Sequence, residues 1–242
     1  MSKPKANCLF HFTKTADALK SILKSGFFPR YCREDMSWFN MTEHIAYPVV
    51  CFCDIPLSRI NEHTDFYGQY GLGMSKEWGL KNDLSPVVYC TASSLVAEAA
   101  KFLLGLNSQM KDKAEKEKLE KAFWALVKSV KPLEGKMYAG GGLTDKDFYN
   151  ESEWRYTPRD GITKTVLMDN EYNAQKDTAN KDAEKYVLKF LPSDIHYIFV
   201  KDDTEIPSVV DFINNNLGSY PLNDLKILNS RLISLTTVQR DL

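Results

Sequence analysis

The chain has 242 residues with 31 Lys and Arg against 32 Asp and Glu, a formal net charge of −1. Hydrophobic residues make up 43% and charged residues 26%, which is ordinary for a soluble globular protein and excludes wholesale disorder. Such a chain has no global attraction to nucleic acid or anionic membranes, and it lacks both an apolar run of bilayer-spanning length and a signal-peptide pattern, so a cytoplasmic location is predicted.

Five cysteines lie at positions 8, 32, 51, 53 and 90. An odd number at this low density is not typical of a disulfide scaffold. Cys51 and Cys53 flank Phe52, but neither a second pair nor a nearby His completes a tetrahedral metal site. We therefore expect reduced cysteines in the core and no bound metal.

The first half alternates short apolar runs with helical patterns. A helix is predicted from Thr15 to Lys24, because apolar residues recur at 18, 19, 22 and 23 and Gly26 follows as a stop. A second, short helix is predicted over Ile60–Tyr67. The predicted strands are Cys8–Thr13, Tyr47–Cys53, Tyr70–Met74 and Pro86–Thr91.

The second half begins with a predicted helical insertion over residues 92–132. It holds a largely apolar helix, Ser93–Leu106, expected to be buried, and an amphipathic helix, Lys111–Val130. Residues 160–184 are polar and predicted to be a surface excursion. Further strands are predicted at Tyr186–Leu191, Ile195–Val200, Leu225–Leu228 and Leu232–Leu235, and a helix at Pro207–Leu217.

Strands and helices do not alternate regularly, which argues against a simple parallel Rossmann sheet. The pattern predicts an α+β fold with a mixed, mostly antiparallel sheet. We expect one domain over residues 1–242 with helices inserted between strands.

The octet Tyr149–Tyr156 alternates charged residues with other side chains. In an extended strand, Glu151, Glu153 and Arg155 share one face, while Trp154 and Tyr156 lie on the other. A strand held by aromatics could present a catalytic carboxylate on a rigid element. An edge strand that uses charges against unwanted pairing explains the octet equally well.

Polar and aromatic residues near the first strands form a second group of candidates. His11 and Thr13 share a face of the first strand and could donate hydrogen bonds to a polar ligand. Tyr67 and Tyr70 stand beside glycines and could clamp a planar ring, although ordinary packing explains them as well. Arg30 lies in a loop where its guanidinium could bind phosphate.

These segments, taken in order, resemble two families. Leu9–Thr13 followed by Leu19–Gly26 resembles the opening of DarT-type ADP-ribosyltransferases. Cys51–Ser58, His63, Tyr67–Trp78 and Glu153–Arg155 resemble the AbiGi abortive phage-infection family, over roughly residues 8 to 200.

The resemblance implies an ADP-ribosyltransferase-like split sheet and a set of residue roles around NAD as co-substrate. His11 would bind the nicotinamide ribose with support from Thr13, and Tyr67 or Tyr70 would stack on nicotinamide. Arg30 would meet the pyrophosphate. Glu153 would be the catalytic carboxylate that stabilises the oxocarbenium-like transition state, with Glu151 as its rival.

Three functions follow as expectations. The first is a toxin-like ADP-ribosyltransferase in phage defence that modifies a nucleic acid or a protein. The alternative is a non-catalytic antitoxin or regulator that binds a partner protein of a defence operon. A third is a metal-dependent nuclease using Glu151, Glu153, Asp54 or Asp65.

Overall fold

The computed structural model describes residues 7–39, 44–139 and 142–240. The strands are β1 Cys8–Thr13, β2 Arg30–Asp35, β3 His44–Cys53, β4 Tyr70–Ser75, β5 Ser85–Pro86, β6 Val88–Cys90, β7 Val130–Pro132, β8 Glu134–Ala139, β9 Gly142–Asp147, β10 Glu153–Tyr156, β11 Leu167–Met168, β12 Ile195–Val200 and β13 Leu232–Ser234. The helices are α1 Ala16–Ser25, α2 Ile60–Tyr67, α3 Lys76–Lys81, α4 Leu95–Gln109, α5 Lys113–Ser129, α6 Asp169–Ala183, α7 Ile206–Asn216, α8 Leu222–Asn229 and α9 Leu235–Arg240.

Helices and strands are interspersed along the chain, and nine of the described strands belong to a mixed, mostly antiparallel sheet. The pairing of β12 with β13 is parallel, whereas β1–β4, β2–β3 and β4–β12 are antiparallel. The predicted α+β class with a mixed sheet is therefore confirmed. The finer likeness to an ADP-ribosyltransferase sheet stays a prediction.

The chain divides into two compact units. Unit 1 comprises Met1–Phe28, Val50–Ser85 and Tyr186–Leu242, and unit 2 comprises Pro29–Val49 and Pro86–Lys185. Strand β3 contributes residues 44–49 to unit 2 and residues 50–53 to unit 1.

Unit 1 is built on the strand order β13–β12–β4–β1, followed by the end of β3. Phe10 and Phe12 of β1 point to a cluster of buried apolar residues on one side, where the rings of Phe10 and Phe199 lie 5.7 Å apart. Helix α1 begins at the cap residue Thr15, whose side chain accepts a hydrogen bond from the Ala18 N–H. Its predicted stop at Gly26 is also present.

Unit 2 contains the first half of β3, with β2 and β11 paired to it in antiparallel register. Helix α6 packs its small residues into a cluster with Tyr31, Ala46 and Leu167. Helices α4 and α5 begin at Ser94 and Asp112, each of which accepts a capping hydrogen bond. Parallel β6–β7 and antiparallel β8–β9 form two further small sheets.

Several predictions of secondary structure and burial differ from the structure. Arg30, predicted to lie in a loop, is the first residue of β2, and Cys32 is exposed and not in the core. Residues 160–184 are not only a surface excursion, because they form β11 and α6, with Leu167 and Ala183 fully buried. Residues Tyr186–Leu191 do not form a strand beyond an isolated bridge at Leu188, and Leu225–Leu228 lies in helix α8. Helix α4, expected to be buried, leaves Leu95 and Phe102 at the surface.

Within the described ranges, no helix is long and apolar enough to cross a membrane.

Gly68 connects α2 to β4 at a point where the backbone passes close to β1. Its φ is +120°, and a Cβ atom there would lie 2.3 Å from the Thr13 carbonyl oxygen. Gly68→Ala should therefore lower the free energy of unfolding by about 3 kcal/mol, near the upper end of usual single-substitution effects. Urea unfolding measures this value.

The matched control is Gly105→Ala within α4, where an added Cβ meets no atom within 4 Å. Because alanine is the better helix former, this variant should gain about 1 kcal/mol. Equal stabilities of the two variants would contradict the close approach at Gly68.

Candidate functional site

A largely buried group of charged side chains and one tyrosine lies in unit 2. We call it the Glu153 network; its members are Glu34 of β2, Tyr47 of β3, Lys131 of β7, Glu151, and Glu153 and Arg155 of β10. Strand alternation places Glu153 and Arg155 on one face of β10, two residues apart. Both are only 4% exposed.

Glu153 is bound through both of its carboxylate oxygens. Oε2 lies 2.5 Å from the Lys131 Nζ, and Oε1 accepts a 2.6 Å hydrogen bond from the Arg155 Nε. The backbone N–H of Glu153 donates to the Tyr89 hydroxyl oxygen at 2.8 Å. Two cations therefore fix the carboxylate of Glu153, and Tyr89 fixes its backbone.

Arg155 and Lys131 extend the network on either side. The guanidinium of Arg155 donates to Glu34, to the Tyr47 hydroxyl and to the Lys128 carbonyl oxygen. Lys131 also donates to Glu151 at 3.1 Å. Opposite charges alternate throughout, which is the arrangement that buried ions require.

The electrostatics of the network keep Lys131 and Tyr47 protonated. Burial by itself lowers the pKa of Lys131, but the carboxylates of Glu153 and Glu151 outweigh it and raise the pKa above the ordinary lysine value. Burial raises the pKa of Tyr47 well above its usual range, against the opposing effect of Arg155. Both groups therefore keep their protons at neutral pH.

The octet Tyr149–Tyr156 is not one strand. Tyr149–Glu151 forms a 3-10 turn, Ser152 adopts a left-handed conformation with φ 45°, and β10 begins only at Glu153. The charged face is the buried one, while Trp154 and Tyr156 are half-buried. The prediction of a displayed charged row is wrong, because Glu151, Glu153 and Arg155 are each only 4% exposed. Lys131, 20 residues before Glu151 and 22 before Glu153, supplies the counter-charge that sequence reasoning missed.

His11 lies in unit 1 among aromatic rings. Its Nδ1–H donates to the Cys51 carbonyl oxygen at 2.8 Å, and its ring centroid lies 5.1 Å from that of Phe27 and 5.5 Å from that of Phe52. Burial lowers the pKa of His11, so the neutral imidazole is favoured. These contacts give His11 a packing role in the aromatic cluster.

The structure brings Thr13 and Tyr70 together as directly opposed residues of β1 and β4. The Tyr70 hydroxyl donates to Glu205 at 2.7 Å, and burial together with that carboxylate raises the pKa of Tyr70 to about 12. Tyr67 packs instead with the cluster around Phe10, on the opposite face of β1 from His11.

Arg30 belongs to unit 2, as Glu153 does, while His11, Thr13, Tyr67 and Tyr70 belong to unit 1. Its guanidinium forms a 3.1 Å ion pair with Glu184, and both side chains are 46% exposed. The predicted roles of these residues around a cofactor stay predictions.

The carboxylates proposed for a nuclease are engaged differently. Asp54 is buried and pairs with Lys76 at 2.8 Å, and Glu151 and Glu153 belong to the network. In the part of the chain that the structure describes, no three His, Cys, Asp or Glu side chains are grouped to hold a metal ion.

Comparison with known proteins places this chain among the abortive phage resistance proteins. A family model described as "Putative abortive phage resistance protein AbiGi, antitoxin" matches residues 25–201. The chain therefore belongs to the AbiGi family. It is 25% identical over 246 residues to the abortive phage resistance protein AbiGi of Lactococcus lactis subsp. cremoris, covering 89% of this chain and 99% of that protein. No solved structure matches the chain.

The family assignment confirms the AbiGi resemblance and corrects the predicted function. The expectation of a toxin-like ADP-ribosyltransferase is wrong, because the matching family model is described as an antitoxin. Neither comparison points to the DarT-type transferases. The alternative, a non-catalytic antitoxin, agrees better with the family.

A structural role for Glu153 has a measurable consequence. Glu153→Gln removes the negative charge between Lys131 and Arg155, and loss of one partner from a buried ion pair costs about 3 kcal/mol or more. Urea unfolding should therefore show a large loss of stability.

Glu184→Gln is the control, because it breaks an ion pair of exposed side chains. That variant should lose less than about 1 kcal/mol. A Glu153→Gln protein as stable as Glu184→Gln would contradict the structural role of Glu153.

His11 predicts a pH dependence of stability. Because burial lowers its pKa in the fold, the unfolded chain takes up a proton more readily below the ordinary value of 6.5. The free energy of unfolding should therefore fall as pH drops from about 7 to about 5. His11→Gln keeps an N–H donor for Cys51 but cannot titrate, so its stability should fall less over that interval.

Unfolding of both proteins in urea at several pH values gives the comparison. At about pH 8, where unfolded-state histidine is neutral, the two differ only by the packing cost of the substitution. Parallel pH profiles for wild type and His11→Gln would show that His11 is not the titrating group.

Proposed function

We propose that this chain is the antitoxin of an abortive-infection pair, and that it neutralises a partner toxin by binding it rather than by catalysis. The family description supports an antitoxin role. The observation that carries the proposal is the engagement of Glu153, whose two oxygens are bound by Lys131 and Arg155 in a buried position.

A transferase carboxylate must face the positive charge that develops on the sugar during cleavage. In this chain the positive charges beside Glu153 are those of Lys131 and Arg155, at 2.5 and 2.6 Å. If the Glu153 carboxylate turned toward a substrate, the buried cations Lys131 and Arg155 would lose their ion pairs with it. That loss would cost several kcal/mol. Glu153 is thus suited to hold unit 2 together.

An exposed aromatic surface lies next to the network. We call it the Tyr149 surface; it consists of Tyr89, Leu133 and Tyr149. The side chain of Tyr149 is 62% exposed and that of Leu133 is 40% exposed. The rings of Tyr149 and Tyr89 lie 5.5 Å apart, and the Tyr89 hydroxyl accepts the hydrogen bond from Glu153.

This surface has the properties of a protein-binding site. The N–H groups of Phe148 and Tyr149 both donate to the Leu133 carbonyl oxygen, at 2.8 and 3.1 Å, so the backbone under Tyr149 is fixed. A tyrosine on a fixed backbone loses little entropy on binding. Tyrosine is also enriched among the residues that dominate interface energies. We assign the toxin contact to this surface.

Co-expression tests the proposal directly. The wild-type chain should restore growth to cells that express the toxin of the same defence locus, and the two proteins should co-elute in size-exclusion chromatography. Tyr149→Ala should weaken the complex by at least about tenfold, as truncation of an interface anchor does. Leu222→Ala, at a side chain 66% exposed in unit 1, should leave it unchanged.

Turnover of labelled NAD provides the opposing measurement. The purified chain, alone or with extract of infected cells, should neither hydrolyse NAD nor transfer ADP-ribose. NAD turnover that a folded Glu153→Gln variant loses would overturn the non-catalytic proposal. Failure of growth rescue together with no complex would reject the antitoxin role itself.

A further inference from the structure

The outer face of the β8–β9 hairpin carries three carboxylates and one ammonium. Residues that lie directly opposite each other in such a hairpin point to the same face, and so do alternate residues of one strand. The register pairs Glu134 with Asp147 and Lys136 with Asp145, so these four side chains share a face. All four residues are exposed.

The inner face of the hairpin packs within unit 2. Gly135 lies against the Phe148 ring, where an added Cβ atom would come within 3.2 Å of a ring carbon. The Lys146 ammonium lies 3.6 Å from a carboxylate oxygen of Glu151, a member of the Glu153 network. These contacts hold the hairpin by one face, and alternation turns the other face away from them.

Glu134 and Asp147 form an unfavourable pair, which we call the carboxylate pair. Opposed residues of an antiparallel hairpin have Cβ atoms about 5 Å apart, and like charges at that spacing repel each other. Among the residues that the structure describes, neither of the two carboxylates forms an ion pair. Asp147 accepts a 2.8 Å hydrogen bond from the Asn150 side chain, which does not cancel its charge. The negative charge of Asp145, in contrast, is opposite Lys136.

The carboxylate pair lies at the end of the hairpin that adjoins the Tyr149 surface. Glu134 directly follows Leu133, whose carbonyl oxygen accepts a 3.1 Å hydrogen bond from the Tyr149 N–H. Asp147 is two residues before Tyr149. An exposed tyrosine and two negative charges without a counter-charge are therefore fixed beside each other.

We propose that an arginine of the partner toxin binds here, with its guanidinium between the two members of the carboxylate pair and its apolar stem against the Tyr149 ring. This inference rests on the proposed antitoxin function and names the chemistry of the partner. A guanidinium presents five N–H donors in one plane, so it can bind two carboxylates at once. Its flat face and its stem both pack well on a tyrosine.

Other occupants suit this surface less well. A nucleic acid would bring phosphates toward two carboxylates that repel them. In the described ranges, no three His, Cys, Asp or Glu side chains are grouped to hold a metal ion. An acidic or wholly apolar protein segment would leave both negative charges without a counter-charge, which opposes association.

Glu134→Gln separates a role in binding from a role in folding. The substitution keeps the shape of the side chain and removes one of two repelling charges, so the urea midpoint of the free chain should equal that of wild type or exceed it. The Kd for the toxin of the same defence locus, measured by calorimetry, should rise at least about tenfold, because the guanidinium loses a carboxylate. A residue that served the fold alone would not show this combination.

Asp145→Asn is the matched control. It removes one negative charge from the same face of the same hairpin, but that charge is opposite Lys136. The Kd should therefore change less than about threefold. Asp147→Asn keeps an oxygen that can accept from Asn150, and it should weaken the complex as Glu134→Gln does.

Charge reversal sharpens the comparison. Glu134→Lys places an ammonium opposite Asp147, so the urea midpoint should rise. The same ammonium would repel the arginine of the toxin, so the complex should be weaker than that of Glu134→Gln. Raising the salt concentration from about 50 to about 300 mM should weaken the wild-type complex more than the Glu134→Gln complex, because salt screens the charge contact.

The results also separate this inference from the antitoxin proposal. If Tyr149→Ala weakens the complex while Glu134→Gln and Asp147→Asn bind as tightly as wild type, the arginine contact is overturned and the antitoxin role stands. Equal weakening by Asp145→Asn would show a general effect of charge and would also overturn the contact. Absence of any complex with the wild-type chain would reject both proposals.

Discussion

The carboxylate of Glu153 between Lys131 and Arg155 is the constraint on which unit 2 depends. Charges taken out of water need partners at short range, and none of the three can lose its partner without a penalty of several kcal/mol. This requirement explains the local backbone. The left-handed turn at Ser152, with φ 45°, separates Glu151 from β10, so that both carboxylates reach the same ammonium of Lys131. A continuous strand would keep them in line along one face, two residues apart.

The same network gives a structural explanation for residues 153–155, which resemble a catalytic motif. The sequence Glu-Trp-Arg at 153–155 has the residue types of a transferase site, yet the arginine and glutamate bind each other and Trp154 is half-buried on the other face. The network also affects the surface of unit 2. Because Tyr89 binds the Glu153 backbone and packs on Tyr149, the buried charges position an exposed aromatic surface. Charged residues that resemble a catalytic motif can thus fix an exposed aromatic surface in place.

Local signals in the sequence were sufficient for the elements that begin and end with strong markers. Helix α1 was predictable because Thr15 and Gly26 mark its ends and its apolar residues keep helical spacing. Helix α6 was missed, because Ala179 and Ala183 are its buried residues and small side chains give little hydrophobic signal. The network was missed for another reason. Lys131 lies between Val130 and Pro132, far along the chain from Glu153, and no local pattern indicates that two distant opposite charges are buried together.

The residues predicted to hold a cofactor in unit 1 show the limit of arguments from one strand. Alternation correctly placed His11 and Thr13 on one face of β1, and the register set Tyr70 opposite Thr13. Alternation does not show which groups, from the protein or from a ligand, contact the side chains on that face. In the fold, the His11 imidazole is satisfied by Cys51 and surrounded by Phe27 and Phe52, and the Tyr70 hydroxyl by Glu205. These internal contacts engage the His11 Nδ1 and the Tyr70 hydroxyl, so the alternation pattern by itself does not assign a cofactor, and the roles predicted for these residues stay predictions. For a chain whose family model is described as an antitoxin, the exposed side chains of unit 2 are the first place to look for a binding surface.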